Sequence, residues 1–227
     1  MGDAPKPKAV VSWSSGKDSA YALHVARQAG ELDVVGALTT VTEAFGRVSM
    51  HGVREEILDR QMIEIGLTCR RVSLPWPCTN EIYEQRMGAA ISELQDSGVT
   101  HVIFGDLFLE DLRAYREANL ARVGMHAVFP LWKQSTPPLA REMIAKGLRA
   151  TLACVDPKVL DRSFAGRAYD DSLLTDLPDN VDPCGENGEF HTVVTAGPAF
   201  ARPIATRVGE VVERSGFVYA DVLLADA

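Results

Sequence analysis

No stretch of this chain approaches the roughly 18 consecutive apolar residues that would span a bilayer. The opening Met1-Gly2-Asp3-Ala4-Pro5-Lys6-Pro7-Lys8 has no apolar leader core, so a cytoplasmic protein with no membrane partner is expected. Cysteine is scarce: Cys69, Cys78, Cys154 and Cys184 stand too far apart for a C-x-x-C zinc or redox motif, and reduced thiols are expected. Positive charge is in deficit, 23 Lys and Arg against 31 Asp and Glu for a net -8, which argues against a broad nucleic-acid surface and against a nucleic-acid partner. Internal repeats and low-complexity segments are also missing.

What is present is a chain of 227 residues, 46% hydrophobic and 24% charged, long enough for one large domain or two small ones. Apolar strand-like runs alternate with helical periodicity in the first half, the signature of a parallel sheet covered on both faces. Strands are expected at 10–12, 34–41, 71–74, 101–104 and 127–129, with helices after Gly16, from about 53 to 65 and from 81 to 94. Beyond Trp132 the pattern changes to a helix at 136–146, a strand at 148–155, an acidic stretch at 170–182 and a closing hairpin, 206–213 with 217–224. The expectation is an α/β chain of three parts: a flexible terminus 1–8, a nucleotide-binding unit 9–132, and an α+β unit 133–227.

The densest chemical signal is Ser12-Trp13-Ser14-Ser15-Gly16-Lys17-Asp18-Ser19, where an apolar strand breaks into small residues and a helix begins. Small side chains let backbone N–H groups approach an anion, and the helix that follows presents its positive end. Lys17 adds a point charge, and Ser12, Ser14 and Ser19 add hydroxyl donors, so phosphate is the expected guest. Asp18 would repel phosphates unless a divalent cation lay between them, which reads as a Mg²⁺ or Mg²⁺-water ligand. The pattern is not a Walker A loop, because it has neither the upstream glycine nor a hydroxyl residue directly after the lysine. It resembles the PP-loop, S-G-G-x-D-S, of ATP pyrophosphatases, with Ser15 in place of the first glycine. That replacement is tolerable if the position needs no positive φ.

A second concentration is Asp182-Pro183-Cys184-Gly185-Glu186-Asn187-Gly188-Glu189-Phe190-His191-Thr192, with carboxylates, an amide, an imidazole and glycines in eleven residues. Such groups can bind an amine, position a carboxylate or move a proton. The plainer reading is an Asn-Gly turn with solvated flanks.

Together, the PP-loop and G-E-N-G-E-F-H-T resemble the diphthine-ammonia ligase family over nearly the whole chain. Arg47 to Arg54 and Phe104 to Asp111, with Arg113 and Tyr115-Arg116-Glu117, carry the likeness further. The resemblance implies a HUP-type, Rossmann-like domain joined to a smaller C-terminal α+β domain. It implies ATP and Mg²⁺ as cofactors, with adenylation of an acceptor carboxylate, release of pyrophosphate, and transfer of ammonia or an amine. It places Ser12, Ser14, Ser15, Gly16, Lys17, Asp18 and Ser19 on the phosphates, and Thr40, Met50 and His51 near the adenosine. Gly105 and Asp106 would border the cleft, and Glu186, Asn187, Gly188 and Glu189 would face the acceptor. Lys17, Asp18, Glu186 and Glu189 are the catalytic candidates.

The acceptor stays open between a small molecule and a protein, and the assembly between a monomer and a homodimer. Two rival functions remain at this level, a non-catalytic nucleotide sensor and a tRNA-modifying PP-loop enzyme, the second disfavoured by dispersed cysteines and acidic charge. Residue by residue, His51 also reads as a satisfied turn histidine, Asp106 as a cap for a helix near Glu110, and Trp76 and Trp132 as packing residues. Cys184 has no neighbour in sequence that would activate its thiol and is left out of the chemistry.

Overall fold

The computed structural model describes residues 5–225 and contains two sheets that share one core. Strand β1 (Lys8–Ser12) runs between β2 (Asp33–Thr42) and β5 (Val99–Ile103), parallel to both, and β6 (His126–Val128) extends the β5 side. Strand β4 (Thr68–Leu74) pairs in parallel with β2 along Gly36 to Thr42. The chain therefore lays β1, β2 and β4 in one direction and then jumps back to place β5 and β6 on the other. The switch point falls between the carboxyl ends of β1 and β5, where open α/β sheets bind ligands.

A short antiparallel strand, β3 (Arg47–Val48), has no counterpart among the five strands expected from sequence and makes this a six-stranded sheet. Its two residues are too few to show a periodicity. It pairs with Val41 and Thr42, at a level where β4 already holds the other edge of β2. The edge left for β3 is the one β1 has vacated, so the chain after β2 folds across the end of β1.

Helices α1 (Lys17–Ala29) and α2 (Glu55–Ile65) cover one face of this sheet, and α3 (Asn80–Asp96) and α4 (Glu110–Ala121) the other. After α5 (Thr136–Ala145) come β7 (Arg149–Val155), the short α6 (Asp171–Asp176), β8 (Phe190–Ala196), β9 (Thr206–Arg214) and β10 (Phe217–Leu224). These strands form an antiparallel sheet in the order β8-β7-β10-β9. Ala9 and Val11 of β1, with Trp13 just after it, share a buried cluster with Leu152, Val193 and Val194 of the second sheet. Contiguous burial of this kind is the main cohesive force between the two sheets. The architecture is the mixed α/β one expected of a Rossmann-like HUP unit with a smaller C-terminal α+β unit.

Of the terminus expected to be flexible, residues 1–4 lie outside the described residues. Lys8 already belongs to β1, and the Pro7 carbonyl accepts the Asp33 N–H at 2.9 Å, because pairing with β2 starts there. No helix among the described residues is long and apolar enough to cross a membrane.

Candidate functional site

The turn after β1 is tight because its own hydroxyls close it. The Gly16 N–H donates to Ser14 Oγ at 3.3 Å, Ser14 Oγ lies 3.2 Å from Ser19 Oγ, and Ser19 Oγ donates to the Gly16 carbonyl at 3.0 Å. Ser15 is fully buried in the left-handed region with φ 68°, so the position does need positive φ and the sequence-based tolerance argument is corrected. A non-glycine residue there stores strain of order 1 kcal/mol. Ser15 Oγ has no hydrogen-bond partner among the described residues.

Two glycines admit close neighbours. A Cβ on Gly16 would stand 2.7 Å from His51 Cε1, so the absence of a side chain lets the His51 imidazole lie on the loop. A Cβ on Gly105 would stand 2.7 Å from the Asp18 carbonyl carbon and 2.8 Å from Ser19 N, which brings the end of β5 against the first turn of α1. At the switch point the end of β5 at Gly105 thus packs directly on the turn that runs from Ser12 to Ser19. Asp106 does not cap α4, whose N-cap is Leu109; its carboxylate pairs with Arg116, at 3.0 Å to Nε and 3.1 Å to a terminal nitrogen.

Lys17 turns inward. Its ammonium donates to both Asp18 carboxylate oxygens, at 3.0 and 2.9 Å, and to the Cys184 carbonyl, and it lies 5.4 and 5.5 Å from the ring centres of Tyr169 and Phe190. Burial works against its charge and is the largest single effect, but the Asp18 carboxylate, its hydrogen bond and the other acidic groups around the ammonium together outweigh it and raise the pKa. Its donors are therefore engaged between the phosphate loop and the segment 182–189.

That segment is organised by its own carboxylates. Asp182 accepts the N–H groups of Cys184 at 2.8 Å and Glu186 at 3.3 Å, and it also receives the Thr136 hydroxyl. Glu189 is buried and accepts from Asp182 N, Asn187 N and Asn187 Nδ2, each at 3.0 Å. The Tyr169 hydroxyl donates to the Pro183 carbonyl at 2.8 Å. Glu186 reaches outward, accepting Leu107 N at 2.6 Å and Phe108 N at 3.3 Å just beyond β5. Burial pushes its carboxyl up to about 7, although the Leu107 N–H favours the charged form. A carboxyl poised there can take or give a proton at neutral pH. Cys184 is buried, and that burial raises its thiol to about 12, which leaves it inert.

Strand β8 ties the site together. Lys17 N donates to Thr192 Oγ1 at 3.1 Å, Val194 N donates to the Ser15 carbonyl at 2.9 Å, and His51 Nδ1 lies 3.0 Å from the Thr192 carbonyl. A neutral His51 must carry its proton on Nδ1 to make that bond. Burial lowers His51 to about 3 and His191 to about 4, and their rings lie 4.6 Å apart.

Thr40 reaches this region through its carbonyl, which accepts Ser49 N at 3.0 Å. Met50, also at positive φ, is 70% exposed and faces a side cleft rather than the core. Gly188 stands open, with nothing within 4 Å of a Cβ position. Trp76 is 62% exposed and does not pack the two units together; Trp132 packs against Phe129, with Arg113 over its ring.

Residues that sequence reasoning missed include Gln61, Thr192 and Tyr169. Gln61 is fully buried: its Oε1 accepts Trp13 Nε1–H at 2.9 Å, and its Nε2 donates to the carbonyls of Ser15 at 3.1 Å and Val194 at 2.7 Å. The signal was available, since Gln61 falls on the apolar stripe of Leu58, Met62 and Ile65, and a polar residue there must find partners. Thr192 lay inside the quoted block with no reason to prefer it, and Tyr169 carries no local signature.

Comparison with known proteins gives two adjoining domain matches. Residues 7–127 match the diphthamide synthase N-terminal domain, and 135–219 match the diphthamide synthase C-terminal domain. The chain belongs to the diphthamide synthase family. Diphthine–ammonia ligase of Schizosaccharomyces pombe is 35% identical over 98 residues. That alignment covers 41% of this chain and 16% of the yeast protein. In this member of the diphthamide synthase family, the phosphate-type loop falls within the first matched domain and segment 182–189 within the second.

Proposed function

We propose that this chain is an ATP-dependent carbon–nitrogen ligase of the diphthine–ammonia ligase type. An acceptor carboxylate oxygen attacks the α-phosphorus of ATP, the bond to pyrophosphate breaks, and ammonia or an amine then displaces AMP from the acyl carbon to leave an amide and a proton. The observation that carries the reading is the single contact system formed by the turn after β1 and segment 182–189, with Lys17 held between Asp18 and the Cys184 carbonyl.

The α1 N-terminus and the Ser14–Ser19 turn supply backbone and hydroxyl donors for the phosphates. Glu186, with its carboxyl near neutrality, accepts the proton released when the nitrogen attacks. Glu189, saturated by the donors of its own loop, acts by shaping that loop. Lys17 serves the site as a tether.

Among the described residues no group of three or more His, Cys, Asp or Glu is placed to hold a metal ion. Asp18, partly exposed, fits a Mg²⁺ that arrives with the nucleotide and keeps its waters, the usual habit of this ion. Such an ion would neutralise charge on the departing pyrophosphate.

Incubation with Mg²⁺, ammonium and α-labelled ATP, with and without a cell-extract metabolite pool, tests the reading. AMP and pyrophosphate support it, and dependence on the pool leads to the acceptor. ADP would contradict it, and tight ATP binding without cleavage would favour a sensor.

A further inference from the structure

The antiparallel sheet, in the order β8-β7-β10-β9, has one edge engaged and one open. At the β8 edge, the Val194 N–H donates to the Ser15 carbonyl of the phosphate-type turn at 2.9 Å. Strand β9 forms the other edge and, among the described residues, pairs only with β10. It is 9 residues long, contains neither proline nor lysine, and shows two valines to water, Val208 at 44% exposure and Val211 at 38%. An edge of that length with exposed apolar side chains is a template for another strand.

Which backbone groups of β9 face outward follows from its pairing with β10. The strands meet at a two-residue turn, Ser215-Gly216, with φ 52° and 82°. Arg214 and Phe217 therefore bond each other, and Glu213 and Val211 turn their N–H and C=O groups away from β10. At the far end Ala225 N donates to the Ala205 carbonyl at 2.9 Å, so Thr206 and Val208 turn theirs away as well. The change of phase between these stretches is a bulge, with Gly209 and Glu210 together opposite Asp221.

A bulge normally spoils an edge, because a regular strand laid on it loses register at the extra residue. A second copy of β9 carries the same bulge. Laid antiparallel about a two-fold axis between Gly209 and Glu210, it sets Val208 opposite Val211, Thr206 opposite Glu213 and Gly209 opposite Glu210, each twice. All the outward residues, Thr206, Val208, Val211 and Glu213, then meet outward residues, a match that no other two-fold antiparallel register of β9 on itself provides. Arg207 falls opposite Val212, so no like charges stand directly across from each other.

We propose that β9 is the interface of a homodimer in which two copies join edge to edge into one continuous antiparallel sheet and the exposed valines cover one another across the axis. The proposal is independent of the ligase reading. Strand β8 lies at the far edge of each sheet, so the two phosphate-type turns stand at opposite ends of the joined sheet. An edge-to-edge contact falls at the small end of specific interfaces, so exchange at micromolar concentrations is expected.

Sedimentation velocity of the full chain, from about 1 to about 200 µM, decides it. The expected result is a reversible shift from monomer to dimer that stops there, because a two-fold contact closes on itself. Val208→Asp and Val211→Lys change exposed side chains, and each sets a charge against a valine at two places, so each should weaken association about tenfold. Mixed in equal amounts, the two variants should associate more tightly than either alone. In the mixed dimer the new carboxylate faces the new ammonium, and the remaining Val208 faces the remaining Val211. A misfolded variant could not give that recovery. A chain still monomeric at the highest concentration, growth beyond the dimer, a dimer indifferent to both substitutions, or a mixture no tighter than its components would overturn the proposal.

Discussion

Replacing Gln61 with leucine should be the most damaging single change near the loop that does not touch a ligand. The side chain is fully buried and makes three hydrogen bonds, to Trp13 Nε1–H, the Ser15 carbonyl and the Val194 carbonyl. Leucine fills a similar volume, so no cavity term is expected. The Ser15 carbonyl keeps the Val194 N–H at 2.9 Å, which leaves two groups stripped, the Trp13 indole N–H and the Val194 carbonyl. A buried unsatisfied group costs about 1–3 kcal/mol, so the loss is about 2–6 kcal/mol, centred near 4. For a chain of this length each kcal/mol lowers the melting temperature by about 2–4 °C, which puts the fall at about 8–16 °C. Thermal and urea denaturation would measure it. Trp13→Phe removes the orphaned donor, so Trp13→Phe/Gln61→Leu should be less damaged than the sum of the single changes by about 1 kcal/mol. A fall below 2 °C for Gln61→Leu, or strict additivity in the double variant, would refute the argument that this amide holds the loop to β8.

Ser15→Gly should stabilise the chain by about 0.5–1 kcal/mol in urea, because relief of about 1–2 kcal/mol of left-handed strain exceeds the extra unfolded-state freedom of glycine; a less stable glycine variant would remove the strain argument. His51 and His191, held at about 3 and about 4, are neutral in the fold and charge more readily when unfolded. Their contribution is present above pH 6.5 and is lost as pH falls through the folded values, at no more than about 1.4 kcal/mol per pH unit for each ring. His51→Gln should flatten the acid limb of a stability profile, and an unchanged limb would contradict their neutrality. Glu186 has the opposite sign: with a folded value of about 7 against an ordinary 4.5, its contribution is full below 4.5 and fades as pH rises through 7. Glu186→Gln should abolish that fade, and a fade that persists would assign it to another group.

The β1 turn was legible because a tight strand-to-helix turn leaves a local mark: small residues between an apolar strand and a helix. Helices α2, α3 and α5 came within two residues of their expected ends for a similar reason, since each carries its own apolar stripe or cap. Strand β3 was not legible, because two residues carry no period and its place is dictated by which edge of β2 is vacant. Trp76 was misread because composition makes tryptophan a packing residue, and only the neighbours decide otherwise. The contact of Lys17 was not legible for a deeper reason. A lysine beside a phosphate-type loop reads as a phosphate ligand, and nothing local points to its partner 167 residues away, the Cys184 carbonyl.

That partnership changes what the two matched domains mean. Ser15 sits in a strained conformation with a buried hydroxyl that has no partner among the described residues, and such a turn persists only where its surroundings over-determine it. Here the surroundings come from the far half of the chain: Val194 N on the Ser15 carbonyl, Thr192 Oγ1 on Lys17 N, and the Cys184 carbonyl on the lysine ammonium. Asp182 and Glu189 in turn hold segment 182–189 in the shape that presents the Cys184 carbonyl and Glu186. The phosphate-type loop and the second constellation are therefore one structural unit built from distant sequence. Residues 7–127 contain the motif but not the contacts that hold it in its strained geometry. Anything that loosens β8 from the first sheet acts on both halves of the site at once.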